Sequence, residues 1–222
     1  MIIYLEGNIG SGKSTLASEL YREIKRISKC NVFWIEEPVA EWKNISGYNL
    51  LNMFYAEKCR WSFTFQINAL IDLATNEIEA ANRSLEGDIV IIERSIFSTL
   101  NIFTKLLANE DFLQQFEIEI IHKLNMIIQR LLVNVENSII LYLKTGYMEC
   151  YKRVLKRNRL EEVGHVSINY LRKLQELYEK EFGNTSKLFD KKVIVLNGHQ
   201  HSFQITLPNL NIHVDVKSKK DP

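Results

Sequence analysis

The octapeptide Gly7-Asn8-Ile9-Gly10-Ser11-Gly12-Lys13-Ser14 constrains this chain more than any other stretch, because it works only as the joint between a strand and a helix. It fits the pattern GxxxxGK[ST], with the apolar run IIYLE (2–6) before it and a helical pattern over 13–28 after it. Glycines let backbone N–H groups turn inward onto phosphate oxygens, and the positive end of the following helix adds to the attraction. Lys13 is then expected to reach the β- and γ-phosphates, and the Ser14 hydroxyl to ligate Mg²⁺. Gly7 through Thr15 form the expected donor site.

The remainder repeats the strand-then-helix alternation. Further strands are predicted at NVFWIE (31–36), DIVIIE (88–93), SIILYL (138–143) and KVIVL (192–196), and helices at 13–28, 48–56, 61–86, 95–109, 111–136, 147–160 and 167–182. Continuous rather than alternating hydrophobicity predicts strands buried on both faces, hence an α/β parallel sheet covered by helices. Ligands of such sheets gather at the carboxyl ends of the strands. Residues 1–198 are read as one domain and 199–222 as a C-terminal extension that no periodicity assigns.

Composition narrows the function classes. A net charge of +1 gives no overall field to recruit nucleic acid or an anionic membrane, and no apolar run approaches the length of a membrane span. Cys30, Cys59 and Cys150 are odd in number and lack metal-ligand spacing. They are expected to be reduced, half-buried thiols in a cytosol-like compartment. The first strand begins at Ile2 and leaves no room for a leader, so a cytoplasmic location is expected.

Two stretches supply charge for phosphoryl chemistry. DIVIIERS puts Glu93 and Arg94 at the carboxyl end of a buried strand, where the acid can hold Mg²⁺ and the guanidinium can steady the transferred phosphoryl. A strand-end ion pair is the plainer alternative. In YMECYKRVLKRNRLEE (147–162), Met148, Tyr151, Val154 and Leu155 are expected to form a buried stripe, leaving Lys152, Arg153, Lys156 and Arg157 outward. Arg153 and Arg157 share a face, but Arg159 joins them only if the helix end bends, with Gly164 marking the expected break. Such a basic helix ending in a loop suits a lid over the donor.

IEEPVAEW (35–42) addresses the acceptor. Transfer to an alcohol needs a group to take its proton, and Pro38 keeps the preceding carboxylate extended at the strand end. Mechanics leaves Glu36 and Glu37 both open. Trp42 offers a wall for a flat base. In WSFTFQINALIDLATNE (61–77), Gln66, Ala69 and Leu73 share one helical face, while Ile67, Leu70, Ile71 and Ala74 look like core. The carboxamide carries both a donor and an acceptor, which suits a base edge.

Taken in order, GNIGSGKST, EPVAEW, NLLNMFY, FQ, ERSIFS, KRVLKRNRLEE and KVIVLN resemble the deoxyribonucleoside kinase family over about residues 1–197. That family includes the deoxycytidine, deoxyguanosine and mitochondrial-type thymidine kinases and the insect multisubstrate enzyme. The resemblance implies a P-loop kinase fold, with a five-stranded parallel sheet flanked by helices, an arginine-rich lid and a homodimer built on helix packing. It implies ATP with Mg²⁺ as donor and a deoxynucleoside as acceptor, in nucleotide salvage, with neither nucleic acid nor membrane as partner.

Carried over by position, the carboxylate before Pro-Val is the general base, which selects Glu37. Trp42 and Phe65 make one wall of the base pocket and Phe103 the other, and Gln66 pairs with the base. Leu51 and Phe54 belong to the same pocket. Tyr55 and Glu162 hold the 3′-hydroxyl. Arg153 packs on the donor adenine, while Arg157 and Arg159 reach its phosphates.

This chain departs from purine-accepting relatives at Leu73 and Thr99, where those carry an arginine and an aspartate. Losing that charged pair removes the partners a purine or cytosine would use, and the resulting neutral pocket implies thymidine, or pyrimidine deoxynucleosides generally, as acceptor. The small Ala69 and Thr99 leave room for bulky 5-substituted uracils or some purines. A thymidylate-type nucleoside monophosphate kinase shares the loop and lid but must also neutralise an acceptor phosphate. A non-catalytic nucleotide switch would need NKxD and DxxG motifs, which are not found in the expected places. Past Asn197 the family pattern is lost, including the loop at 198–200 that would line the donor base.

Overall fold

The computed structural model describes residues 1–132, 137–183, 187–188, 191–200, 202–207 and 212–217. β1 (Ile2–Glu6) and β3 (Ile89–Glu93) are buried at every position, as their unbroken apolar sequences require. β1 pairs in parallel with β3, Ile3 opposite Ile91, and on its other side with β4 (Ser138–Lys144), Ile3 opposite Ile139. β2 (Val32–Ile35) adds in parallel to β3, and β6 (Lys191–Asn197) to β4. The five expected strands are all present and parallel. A two-residue strand, β5 (Lys187–Leu188), extends the edge antiparallel to β6, giving the order β2-β3-β1-β4-β6-β5. The chain builds first to one side of β1 and then to the other, and ligands collect at the crevice such a reversal creates.

The alternation of side chains along β1 separates two cores. Ile3 and Leu5 pack with Leu16, Leu20 and Ile24 of α1 (Lys13–Ile27). Ile2 and Tyr4 face the opposite layer, which contains Leu70, Leu73 and Ala74 of α4 (Lys58–Leu85). The C-terminal extension, unassigned from sequence, includes a hairpin in which β7 (Ser202–Leu207) runs antiparallel to β8 (Ile212–Lys217). Ile205 of the hairpin is 1% exposed and joins the α1 core. Residues 201, 208–211 and 218–222 lie outside the described residues.

Several helix limits follow from capping rather than from apolar period. The short α2 (Val39–Trp42) follows Pro38. α3 (Leu50–Ala56) starts after Asn49, whose side chain accepts from the Asn52 N–H at 2.9 Å, so it is shorter than the expected 48–56. α7 (Gln115–Leu131) starts later than residue 111, because Asp111 adopts φ 58° and Glu117 Oε2 holds the Gln114 N–H at 2.8 Å. It ends at Leu131 rather than at 136, and residues 133–136 lie outside the described residues. The helix expected over 95–109 is divided into α5 (Ile96–Ser98), a π-helical turn (Thr99–Thr104) and α6 (Lys105–Asn109). α8 (Tyr147–Arg157) stops at Asn158, which takes the left-handed conformation with φ 52°, well before Gly164. α9 (Ile168–Tyr178) is capped by the Ser167 hydroxyl and runs on into a π-helical turn at Glu179–Gly183.

Three burial expectations need correction. In α8 only Cys150 and Val154 are buried, whereas Met148 and Leu155 are 49% and 48% exposed. The helix packs along one narrow edge against the phosphate loop, so the wider stripe stays in solvent. Ile71 of α4 is likewise exposed, because the core side of that helix runs through Leu70, Leu73 and Ala74. Cys30 and Cys59 are exposed rather than half-buried, and only Cys150 is buried. Among the described residues, no helix is long and apolar enough to cross a membrane.

Candidate active site

A cavity of about 890 Å³ opens at the carboxyl ends of the central strands and runs from the phosphate loop to α3 and α4. Gly12 caps α1 at φ 102°, a left-handed conformation that favours glycine. Gly10, also left-handed at φ 74°, has a further reason: a Cβ there would lie 2.5 Å from the Cys150 carbonyl oxygen. Residues 9–15 line the cavity, whereas Gly7 and Asn8 do not. The Asn8 side chain instead donates to the Leu171 carbonyl at 2.8 Å and accepts from the Ile9 N–H, tying the loop to α9. Lys13 is buried and donates to the Gly7 and Asn8 carbonyls, each at 3.1 Å. Burial first, then the nearby Arg94 charge, lowers its ammonium pKa to about 8.

Arg94 sits at φ 66° immediately after β3. Its N–H donates to the Leu5 carbonyl at 3.0 Å. The next residue is pinned as well, with the Ser95 N–H and hydroxyl both donating to the fully buried Glu6 carboxylate, at 2.9 and 2.5 Å. The turn aims the guanidinium into the cavity. There Nε meets Glu37 Oε1 at 2.5 Å, Nη1 donates to the Tyr178 hydroxyl at 2.5 Å, and Cζ lies 4.6 Å from the Phe103 ring centroid. Burial alone would raise the Glu37 pKa, but Arg94 and Lys13 together outweigh it and hold the carboxyl below its ordinary value. Glu36 is exposed, and its carbonyl accepts from Asn76 at 3.3 Å.

Glu93 is held at both oxygens. Oε2 accepts from the Ser14 hydroxyl at 2.7 Å and Oε1 from the Trp34 indole N–H at 3.0 Å. Burial raises its pKa, which the Ser14 bond and Lys13 oppose. A hydroxyl and a carboxylate oxygen side by side form a hard donor pair of the kind Mg²⁺ uses, the rest of its shell being water and phosphate. Among the described residues, no group of three or more His, Cys, Asp or Glu gathers as a metal site.

The far end of the cavity is aromatic and neutral. Trp42 meets Phe65 edge-on with centroids 5.2 Å apart, and Phe54 stacks on Phe65 at 4.5 Å. The Trp42 indole N–H donates to Asp72 at 2.9 Å, which fixes the ring. Leu51 and Tyr55 reach the cavity from α3, and Gln66, Ala69 and Leu73 from α4. Thr99 and Phe103 line it from the π-helical turn.

Arg157 and Arg159, expected from the sequence as lid arginines, meet at one carboxylate. Glu162, 3% exposed, takes Arg157 at 2.5 Å and Arg159 at 2.8 Å. The left-handed Asn158 supplies the bend that brings Arg159 alongside its neighbours. Arg153 donates to the Ser11 carbonyl at 2.8 Å and pairs with Glu149.

Sequence reasoning missed Trp34, Thr104 and Tyr178, which hold the side chains of Glu93, Gln66 and Arg94, and Glu6, which pins Ser95 beside Arg94. All four act across elements, so no local spacing announces them.

The deoxynucleoside kinase family model matches residues 3–209. A probable deoxycytidine kinase of fowlpox virus (strain NVSL) is 34% identical over 197 residues, covering 88% of this chain and 78% of the relative. Deoxycytidine kinase of Bos taurus is 31% identical over 240 residues, covering 99% and 86%. Mitochondrial thymidine kinase 2 of Homo sapiens is 29% identical over 180 residues, covering 81% and 63%.

Proposed function

This chain belongs to the deoxynucleoside kinase family and is an ATP-dependent deoxynucleoside kinase, and from that premise we propose that it phosphorylates the 5′-hydroxyl of thymidine and other pyrimidine deoxynucleosides in nucleotide salvage. The observation that carries the pyrimidine preference is the neutral wall of Ala69, Leu73 and Thr99, all buried beside Gln66. A wall without charge offers no charged partner to the extra donors and acceptors of a purine, while a carboxamide supplies the donor and acceptor a pyrimidine edge needs. The base lies between Trp42 and Phe65, with Phe54 and Leu51 behind them, and Phe103 opposite. Tyr55 and Glu162 hold the 3′-hydroxyl.

Residues 9–15 cradle the triphosphate, with Arg153 against the adenine. Glu37 exchanges its contact with Arg94 for the 5′-hydroxyl and accepts that proton as the oxygen attacks the γ-phosphorus. The bond to the β,γ-bridging oxygen breaks and ADP leaves. Arg94 stays anchored through Tyr178, and with Lys13, Arg157 and Arg159 it balances the charge on the phosphoryl group. Ser14 and Glu93 would hold Mg²⁺, which neutralises the β- and γ-phosphate oxygens when bound.

A homodimer is supported by α7, where Phe116, Ile120, Ile127 and Leu131 stand 65%, 43%, 55% and 63% exposed. They recur at spacings of four and seven along one helix side, an apolar stripe suited to the same stripe of a second copy. The exposed thiols of Cys30 and Cys59 suit a reducing, cytosol-like compartment.

The test is turnover of the four natural deoxynucleosides with ATP. Thymidine and deoxycytidine should lead deoxyadenosine and deoxyguanosine by at least about tenfold in kcat/KM. A purine in first place would overturn the preference.

A further inference from the structure

Gln66 is held from outside the cavity it faces. Thr104 closes the π-helical turn and donates its hydroxyl to Gln66 Oε1 at 3.1 Å, and both residues are 2% exposed. Gln66 lines the cavity, whereas Thr104 stands behind it, off the wall. The contact therefore acts on the base through the amide.

A carboxamide reads the two pyrimidines in opposite orientations. Thymine offers an O4 acceptor beside an N3–H donor, so the amide NH₂ goes to O4 and its oxygen accepts from N3. Cytosine offers an N4 amino donor beside an N3 acceptor, so the amide must turn over by half a rotation. The group behind the amide then meets an oxygen in one case and an NH₂ in the other. A hydroxyl serves both, donating to the oxygen or accepting from the NH₂ by rotating about its own bond.

We infer that Thr104 is a specificity-determining residue whose hydroxyl supports both orientations of the Gln66 amide, so that one pocket takes thymidine and deoxycytidine alike. This rests on the proposed reading of Gln66 as the side chain that pairs with the base. A donor or acceptor fixed at that position would favour one orientation and one base. An apolar side chain would leave the buried amide short of a partner in either.

The experiment measures kcat and KM for thymidine and deoxycytidine with wild-type protein, Thr104→Val, Thr104→Ser and Gln66→Ala. Thr104→Val should raise KM for both nucleosides about three- to tenfold with kcat held within about twofold. The ratio of the two kcat/KM values should stay within about twofold, and Thr104→Ser should restore both KM values. A purely structural role would lower the melting temperature without this split or this rescue. Unchanged KM values in Thr104→Val, or a ratio shifted by about tenfold, would overturn the inference, the latter because it means one orientation is fixed. Gln66→Ala separates the two levels. If it leaves both KM values intact, the base-pairing reading itself fails. If it impairs both while Thr104→Val does nothing, only the role of Thr104 fails. Should Thr104→Val not fold, Thr104→Ala compared with Thr104→Ser gives the same readout.

Discussion

Glu37 Oε1 lies 2.5 Å from Arg94 Nε, and this contact keeps a carboxylate ionised in a cavity that by burial alone would favour its neutral acid. Glu37→Gln removes the proton acceptor but keeps the shape. Turnover should fall by about 10² to 10⁴, while thymidine affinity, measured calorimetrically, stays within about fivefold. Near-normal turnover would remove Glu37 from its proposed role.

The pH profile follows from two groups. Glu37 is depressed below its ordinary value, so its active, charged form persists through mild acid and the acid limb of activity should fall below the usual carboxylate range. Lys13 is lowered to about 8, so in the free enzyme its charge is lost as pH rises through that value. The profile of kcat/KM for ATP, which reports the free enzyme, should decline above about pH 8. At saturating ATP the phosphates favour charged Lys13, and the break in kcat should move upward. Coincident breaks in the two profiles would count against Lys13 as the titrating group.

Trp34 reaches across from β2 to orient Glu93 at 3.0 Å. Trp34→Phe keeps an aromatic ring at the position and loses the N–H. The Mg²⁺ concentration for half-maximal turnover should rise about three- to tenfold with the KM for thymidine unchanged. Calorimetric titration of Mg²⁺ into the protein with ADP should show the same loss.

Glu77 bears on stability rather than on chemistry. Burial raises its pKa to about 7, while its Oε1 accepts the Ile96 N–H at 2.7 Å. A carboxyl raised above its unfolded value contributes fully below that unfolded value. The contribution is lost as pH climbs through the folded pKa of about 7. Between pH 5 and 8 the wild type should therefore lose on the order of 2–3 kcal/mol that Glu77→Gln does not lose. Parallel denaturation midpoints for the two proteins across that range would refute the assignment.

The stripe on α7 predicts an oligomer. Ile127→Glu should convert a dimer to a monomer in light scattering, with the helical signal in circular dichroism retained. A wild-type monomer would set the proposed homodimer aside.

The strand ladder was legible in the sequence because buried parallel strands carry unbroken apolar runs, as IIYLE and DIVIIE do. The phosphate loop was legible because its residues are contiguous. Residues 99 and 103 were assigned to the base pocket by position, but the π-helical turn that carries them leaves no mark in an apolar period. The α7 start was misjudged because Asp111 adopts a left-handed conformation that its residue type permits without requiring. Helical geometry alone demanded a bend before Arg159, and the structure puts it at Asn158 rather than near Gly164. The supports at Glu6 and Trp34 depend on which strand neighbours which, and those at Thr104 and Tyr178 on which helices pack together, and that information lies in no single stretch.

Arg157 and Arg159 both rest on Glu162, and Arg153 rests on Glu149 and a loop carbonyl. Two carboxylates thus offset part of the charge of these three guanidinium groups in the free protein. Inorganic phosphate would have to displace an internal carboxylate as one small anion reaching only part of the cluster. A triphosphate presents several charges at once and can take over both guanidinium groups. On the proposed reading, the carboxylates these arginines hold in the free protein set a threshold that a triphosphate passes more readily than inorganic phosphate.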